Sequence, residues 1–395
     1  MTGLTVTRRT ALGASLAMPM IGALRPGARA AAPVKIGMIT TLTGPAGYLG
    51  QDIRDGFLLA IENGSLGGVP VTVLVEDDGL KPAQGKQIAN RFLKSDGIRL
   101  MTGIVFTNVL EAVGFDLLDA GCIYVSPNSG PSNFAGRDCN KNLWVVSWQN
   151  DVLHESAGAH ANLLGFKRMY VLAPNYQAGK DAIAGFRRLY KGEVIGETYT
   201  SLDQTDFAPE MAKVRAAKPD AVFQFHPGGL GIAFMRQYAQ AGLATQIPQV
   251  VAAPSLDSVI LAAVGDAALN VKVSSHWNTD FDNPANKRFV PAFIAKHNRL
   301  PTYYASQGYD TALAIGAALK GTGGNVSDTA AFRSAMQPAK FESVRGGFRF
   351  GSNQFPIQDW YSLAVARGDD GKLVLRTKDR ILKDYGDSYA AQCHL

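Results

Sequence analysis

The chain is poor in the residues that reactive chemistry needs. Its 395 residues include three cysteines and six histidines, with no Cys-x-x-Cys pair, no His-x-x-x-His pair and no Gly-x-Ser-x-Gly turn. Zinc sites, dithiol exchange and the hydrolase nucleophile elbow each require one of those spacings. Carboxylates such as Asp77-Asp78 and Asp257 are present, but no pattern pairs them for acid–base work. The expectation is therefore a protein that is not an enzyme and holds neither a metal nor an organic cofactor. Charged residues are also scarce, at 18%. They form no long basic stripe, which argues against nucleic acid as a partner.

The positive net charge is itself misleading. Residues 1–30 carry Arg8-Arg9, an apolar run from Ala11 to Leu24, and small residues ending at Ala30. That order reads as a secretory signal of the twin-arginine type, cleaved near Ala30. The apolar run is shorter than the ~20 residues that span a bilayer. Removing Arg8, Arg9, Arg25 and Arg29 lowers the formal charge from +6 to +2. No later apolar run approaches membrane-spanning length, so the expected location of the mature chain is the periplasm. An oxidising compartment permits a disulfide. Cys122 opens a buried strand, whereas Cys139 and Cys393 lie in polar surroundings, so the latter two are the better candidates for a pair.

What is plentiful is alternation. From Val34 onward, short β-branched runs (VKIGMITTL, VTVLVED, LMTGIVF, CIYVSP) alternate with runs of helical spacing. Such strands suit a parallel sheet buried on both faces. A second block then repeats the rhythm from HESAGAHANLLG to NVKVSSHW. The predicted fold is α/β, with two doubly wound parallel-sheet lobes joined by three hinge crossings. One lobe takes residues 33–147 and 279–358, the other 148–278 and 359–395. Ligands of open α/β sheets bind beyond the carboxyl ends of the strands, so the two lobes should share one cleft.

The loops that would face this cleft are unlike nucleotide sites. GPAGYLG (44–50) has glycines after the first strand, but no Lys follows it and the spacing is not that of a dinucleotide loop. Glycines suit a tight turn there, yet Tyr48 at its tip could cap a ligand. Phe106-Thr107-Asn108 precedes a helix, where Thr107 suits an N-cap and the N–H groups behind it suit a carboxylate. Asn128-Ser129-Gly130 is a second small, polar loop on the same lobe. The facing lobe offers Asn175-Tyr176, Phe225-His226 and Ser255 at strand ends, and the expected hinges add Trp148 and Trp277. Together these describe an apolar slot with a few polar groups. His226 is a candidate hydrogen-bond donor at its end, and could equally be a satisfied structural residue.

The stretches GIVFTNVLEAVG, CIYVSPNSGPSNF, NYQAGKD, TDFAPEMAKVRAAKPDAVFQF and PTYYASQGYDTALAI, in that order, resemble the leucine/isoleucine/valine-binding family. These are periplasmic solute-binding components of ABC importers. The resemblance runs from about Val34 to the C-terminus. It implies the type I periplasmic-binding-protein fold, a membrane permease as partner, and a monomer. It places the carboxylate contacts at Thr107 and Asn108 and at Asn128, Ser129 and Gly130. Amino-acid binders of this family hold the ligand's ammonium with an acid in the far lobe. Here that position falls near Ala253, and no acid follows until Asp257. An unpaired buried ammonium is costly, so the expected ligand is an aromatic carboxylate of the benzoate, hydroxybenzoate or cinnamate type. A branched-chain amino acid or amide receptor, with Asp257 on the ammonium, is the alternative, as is a ligand-sensing module.

Overall fold

The computed structural model describes residues 32–395; the expected export signal, with Arg8-Arg9 and the cleavage near Ala30, lies outside the described residues. The first sheet is built from β1 (Val34–Thr40), β2 (Ser65–Leu66), β3 (Val69–Asp77), β4 (Leu100–Thr102), β5 (Ile123–Ser126) and β6 (Leu143–Val145). Between them come α1 (Gly47–Leu59), α2 (Pro82–Lys94), α3 (Thr107–Asp119) and the single turn α4 (Ser132–Ala135). The strand order is β2-β3-β1-β4-β5-β6, parallel except for β2.

The second layer begins with α5 (Asn150–Leu163) and continues β7 (Arg168–Pro174), α6 (Gln177–Leu189), β8 (Glu193–Thr200) and α7 (Ala208–Ala217). It goes on through β9 (Ala221–Gln224), α8 (Gly229–Gln240), β10 (Gln249–Ala252), α9 (Ser258–Val264) and β11 (Lys272–Ser275). After α10 (Pro284–His297), α11 (Tyr303–Thr322) and α12 (Thr329–Met336) come β12 (Arg349–Phe350), β13 (Pro356–Arg367) and β14 (Leu373–Tyr385). The second sheet has the order β12-β13-β11-β10-β9-β7-β8, with β14 paired to β13.

The short apolar runs become strands for the expected reason. Every residue of β4, β5, β6, β9 and β10 is buried, because helices cover both faces. In α6, Ala178, Ala182, Ile183 and Phe186 fall on one face and pack with Val171, Phe223 and Val250. The later helices return to the first sheet. Ala312, Ile315 and Leu319 of α11, with Phe332 and Met336 of α12, share a core with Ile36 and Met38. The chain thus passes between the two layers three times, after β6, after β11 and between α12 and β13.

Two expectations need correction. The second sheet is mixed, since β13 runs antiparallel to β11 and carries β14 as a hairpin. A connection as short as residues 368–372 can return only antiparallel. The strand expected at the end of the second block, in NVKVSSHW, stops at Ser275, short of Trp277.

The crossings are pinned by one buried cation. Arg345 donates from Nε to Asp310 Oδ2 at 3.0 Å and from Nη1 to Val146 O and Gln358 Oε1, both at 2.7 Å. It thereby touches the first and third crossings at once. His276 of the second crossing sits against Trp148, with ring centroids 5.3 Å apart. Asp310 is further held by Ser343 Oγ and the Val344 N–H, so neither charge of the pair is left uncompensated.

Cys139 and Cys393 form a disulfide with a Cα separation of 5.6 Å, which ties the tail after β14 to the loop after α4. Cys122 is free and fully buried, and burial pushes its thiol up to about 12. A thiol titration of the unreduced protein should therefore find no reactive thiol in the native state and one after denaturation. Two or more reactive thiols in the native protein would contradict this arrangement.

The two layers also meet directly. Tyr48 of α1 donates from its hydroxyl to Asp257 Oδ2 at 2.8 Å, while Asp257 Oδ1 caps α9 through the N–H groups of Val259 and Ile260. Burial is the largest influence on Asp257 and raises its pKa to about 7. Ser132, the first residue of α4, donates its N–H and hydroxyl to Asp181 of α6. Tyr48→Phe leaves a buried carboxyl oxygen without its donor, at a cost of about 1–3 kcal/mol. Its thermal midpoint should fall below that of the wild type, and an unchanged midpoint would show that this latch contributes nothing.

Candidate functional site

Between the layers lies a cavity whose walls come from the starts of helices. Thr107 is the first residue of α3, and Phe106 occupies its N-cap with no side-chain hydrogen bond. The expectation that Thr107 caps the helix is therefore corrected. Its hydroxyl instead meets Ser129 Oγ at 2.8 Å. The first turn of α3 carries no acid, and the leading N–H groups of a helix have no intrahelical partner. Three more helix starts without side-chain caps, those of α1, α6 and α8, stand around the same space. Leu49, Tyr176, Ala178 and Pro227 are their contributions to the wall. Each helix start presents partial positive charge.

The cavity wall contains no Asp, Glu, Lys or Arg. Its polar groups are Thr107, Asn128, Ser129, Asn150 and His154, set against Phe106, Trp148, Tyr176, Phe225 and Tyr304. Asn128 donates to Val105 O at 2.7 Å. Asn150 donates to Thr107 Oγ1 at 3.3 Å and to Asp181 Oδ2 at 3.0 Å, and accepts from the Gly130 N–H at 3.1 Å. Asp181 lies behind Asn150; burial, then the charge of Asp151, raises its pKa. The rings of Tyr176 and Phe225 stack at 6.4 Å, forming a flat apolar wall. As the lobes stand, the cavity measures about 30 Å³, room for roughly two waters. An aromatic ring enters only when the lobes part. Phe106 and Pro227 also face an outer groove of about 730 Å³ that begins at the GPAGYLG turn.

Of the residues expected from sequence, Phe106, Thr107, Asn128, Ser129, Trp148, Tyr176 and Phe225 meet at this cavity. Gly130 lies just behind, where an added Cβ would come within 2.1 Å of Trp148 O. Asn108 follows Thr107 in α3 but is not part of the wall. Tyr48 points away to Asp257. Gly47 and Gly50 of the turn serve packing, since a Cβ at them would lie 2.6 Å from Leu42 O and 2.0 Å from Thr41 O, while Gly44 supplies a left-handed φ of 76°.

His226 and Ser255 stand outside the cavity for a physical reason. Both ring nitrogens of His226 have partners, Thr200 Oγ1 at 3.1 Å and Gln224 Oε1 at 2.9 Å, and burial lowers its pKa to about 3. Ser255 accepts from the His226 N–H and donates to Gln224 O. These two residues brace β9 against the loop after β10. Trp277 donates to Asn286 Oδ1 at 2.8 Å and borders a separate cavity of about 690 Å³, together with Ala253 and Asp257.

Asn150, His154 and Tyr304 are wall residues that sequence reasoning missed. The signal for the first two was a polar pair four apart on a helix leaving a hinge, and for the third the Tyr303-Tyr304 pair after Pro301-Thr302. Among the described residues no cluster of side chains suits a metal ion, and no helix is long and apolar enough to cross a membrane.

Residues 33–372 match the family model described as periplasmic binding protein. The Leu/Ile/Val-binding protein homolog 6 of Brucella melitensis is 28% identical over 354 residues, spanning 86% of this chain and 89% of that protein. A solute-binding protein of an ABC transporter from R. palustris, solved in complex with benzoate, is 27% identical. It superposes with a TM-score of 0.86 over 92% of this chain and 100% of its own. The solute-binding protein from Rhodopseudomonas palustris BisB5, in complex with 3,4-dihydroxy benzoic acid, gives 0.82 at 28% identity, covering 89% of this chain and 98% of that one. Two facing α/β layers, three crossings and a cavity at the helix starts agree with that match, and the chain belongs to the periplasmic binding protein family.

Proposed function

We propose that this protein is the extracytoplasmic receptor of an ABC importer, delivering a small aromatic carboxylate to a membrane permease. The observation that carries the ligand class is the composition of the cavity wall, which has hydroxyls and uncapped helix starts but no charged side chain. A carboxylate is matched by the hydroxyls of Thr107 and Ser129 and by the N–H groups that open α3. The stacked Tyr176 and Phe225, with Trp148 and Tyr304, suit a flat ring. An ammonium has no carboxylate to meet in this wall. Asp257 is already occupied by Tyr48 and by the start of α9, and borders the other cavity. The benzoate and dihydroxybenzoate complexes of similar proteins support the same choice.

The Leu/Ile/Val name of the curated relative favours a second reading, a branched-chain amino-acid receptor. Location follows from the paired arginines and small residues of 1–30. Sequencing the N-terminus of the protein from a periplasmic extract checks this, with a start near Ala31 expected and an intact Met1 against it.

Ligand class is decided by isothermal titration and thermal shift. A ligand that binds only the native state raises its apparent stability. Benzoate-type acids should stabilise the protein, and leucine and valine should not. Thr107→Ala should weaken the best acid by about 1.5–3 kcal/mol, the loss of a hydrogen bond to a charged group. Stabilisation by leucine alone, or full affinity in Thr107→Ala, would overturn the proposal.

A further inference from the structure

Helix α5 carries two wall residues one turn apart. Asn150 stands at the hydroxyl end of the cavity, touching Thr107. His154 lies four residues on, about 5–6 Å away along the same face. That spacing is comparable with the reach across a benzene ring from its carboxyl carbon to the far side. His154 is 1% exposed, and its Nδ1 has no hydrogen-bond partner. Its ring meets Phe225 at 4.7 Å and Phe223 at 5.6 Å, both edge-on. His160, His276 and His297 also bury an unpaired ring nitrogen, but of these four only His154 lines the cavity, where a ligand could supply the missing partner.

Burial alone keeps the imidazole neutral, lowering its pKa to about 3. A neutral imidazole offers one donor and one acceptor, and a hydroxyl can serve either. A second carboxylate would need a cation, which the wall lacks. A bare ring edge would leave the nitrogen desolvated and unpaired.

Building on the aromatic-carboxylate reading of this cavity, we propose that His154 is the specificity-determining residue for a ring hydroxyl. The preferred ligand is then a hydroxylated aromatic acid, with the hydroxyl meta or para to the carboxylate. The carboxylate sits at Thr107 and Ser129, and the hydroxyl exchanges a hydrogen bond with His154.

The test is a titration series with benzoate, 3-hydroxybenzoate, 4-hydroxybenzoate and 4-methylbenzoate on the wild type, His154→Leu and His154→Gln. At least one hydroxybenzoate should bind the wild type roughly tenfold or more tightly than benzoate, the order expected when a site built around a hydroxyl meets an analogue lacking it. His154→Leu should bring the ratio of hydroxybenzoate to benzoate affinity down to about one. His154→Gln, which keeps a hydrogen-bonding group, should restore part of it. Equal wild-type affinity for benzoate and both hydroxybenzoates would overturn the assignment of His154 and leave the aromatic-acid reading standing. So would an equal loss for all ligands in His154→Leu. If none of the four acids binds, the aromatic-acid reading fails and takes this proposal with it. Should the Leu variant not fold, the wild-type ratio of hydroxybenzoate to benzoate still decides.

Discussion

Everything at the centre of this molecule depends on the polarity of its parallel strands. A helix that follows a parallel strand begins at that strand's carboxyl end, so the helix starts of one layer share an edge. Two layers facing each other bring the starts of α1, α3, α6 and α8 around one small space. None has a side-chain cap, and no charged side chain enters the wall. In the proposed reading, the attraction for the ligand's carboxylate comes from fixed backbone dipoles rather than from lysine or arginine. Such a site discriminates by what it lacks. An ammonium buried there would lose its hydration without gaining a partner.

The crossings and the latch determine how that space opens and closes. Arg345 is buried in contact with Asp310, Val146 and Gln358. A buried ion pair is weak evidence for stability, since desolvation offsets much of the attraction. Its position serves another purpose, to tie the first and third crossings through one side chain. The disulfide anchors the C-terminal tail close by. Across the cleft, Tyr48 with Asp257 and Ser132 with Asp181 hold the layers together at separate points. With about 30 Å³ between them, ligand uptake requires these bonds to break and re-form. A receptor built this way couples occupancy to shape, which is what a permease can read.

The periodicity of short apolar runs made the layers legible, because parallel strands must be buried on both faces and helices must be amphipathic. The strand-end loops at Thr107 and Ser129 were legible for the same reason, since position in the strand–helix alternation determines which loops reach the cleft. Direction of side chains was not. Tyr48, expected in a loop, lies in the first turn of α1 and turns to a carboxyl 209 residues away. His226 ends the expected strand but is consumed by Thr200 and Gln224. Both outcomes depend on partners far apart in sequence, which local spacing does not encode. His154 was hidden for the opposite reason. It lies inside a helix read as packing, and only the cavity reveals the unpaired nitrogen. The Cys139–Cys393 link, by contrast, could be favoured by elimination, because Cys122 opens a buried strand.

The central claim is that uncapped helix starts and hydroxyls, with no side-chain cation, hold the ligand's carboxylate. A crystal structure of the protein grown with 4-hydroxybenzoate tests it most directly. The account predicts the carboxylate within hydrogen-bonding distance of the Thr107 and Ser129 hydroxyls and of the N–H groups at the start of α3. It also predicts the ring lying between Tyr176, Phe225 and Trp148. Density for the ligand in the outer groove or against Trp277, or a carboxylate paired with an arginine or lysine, would contradict it.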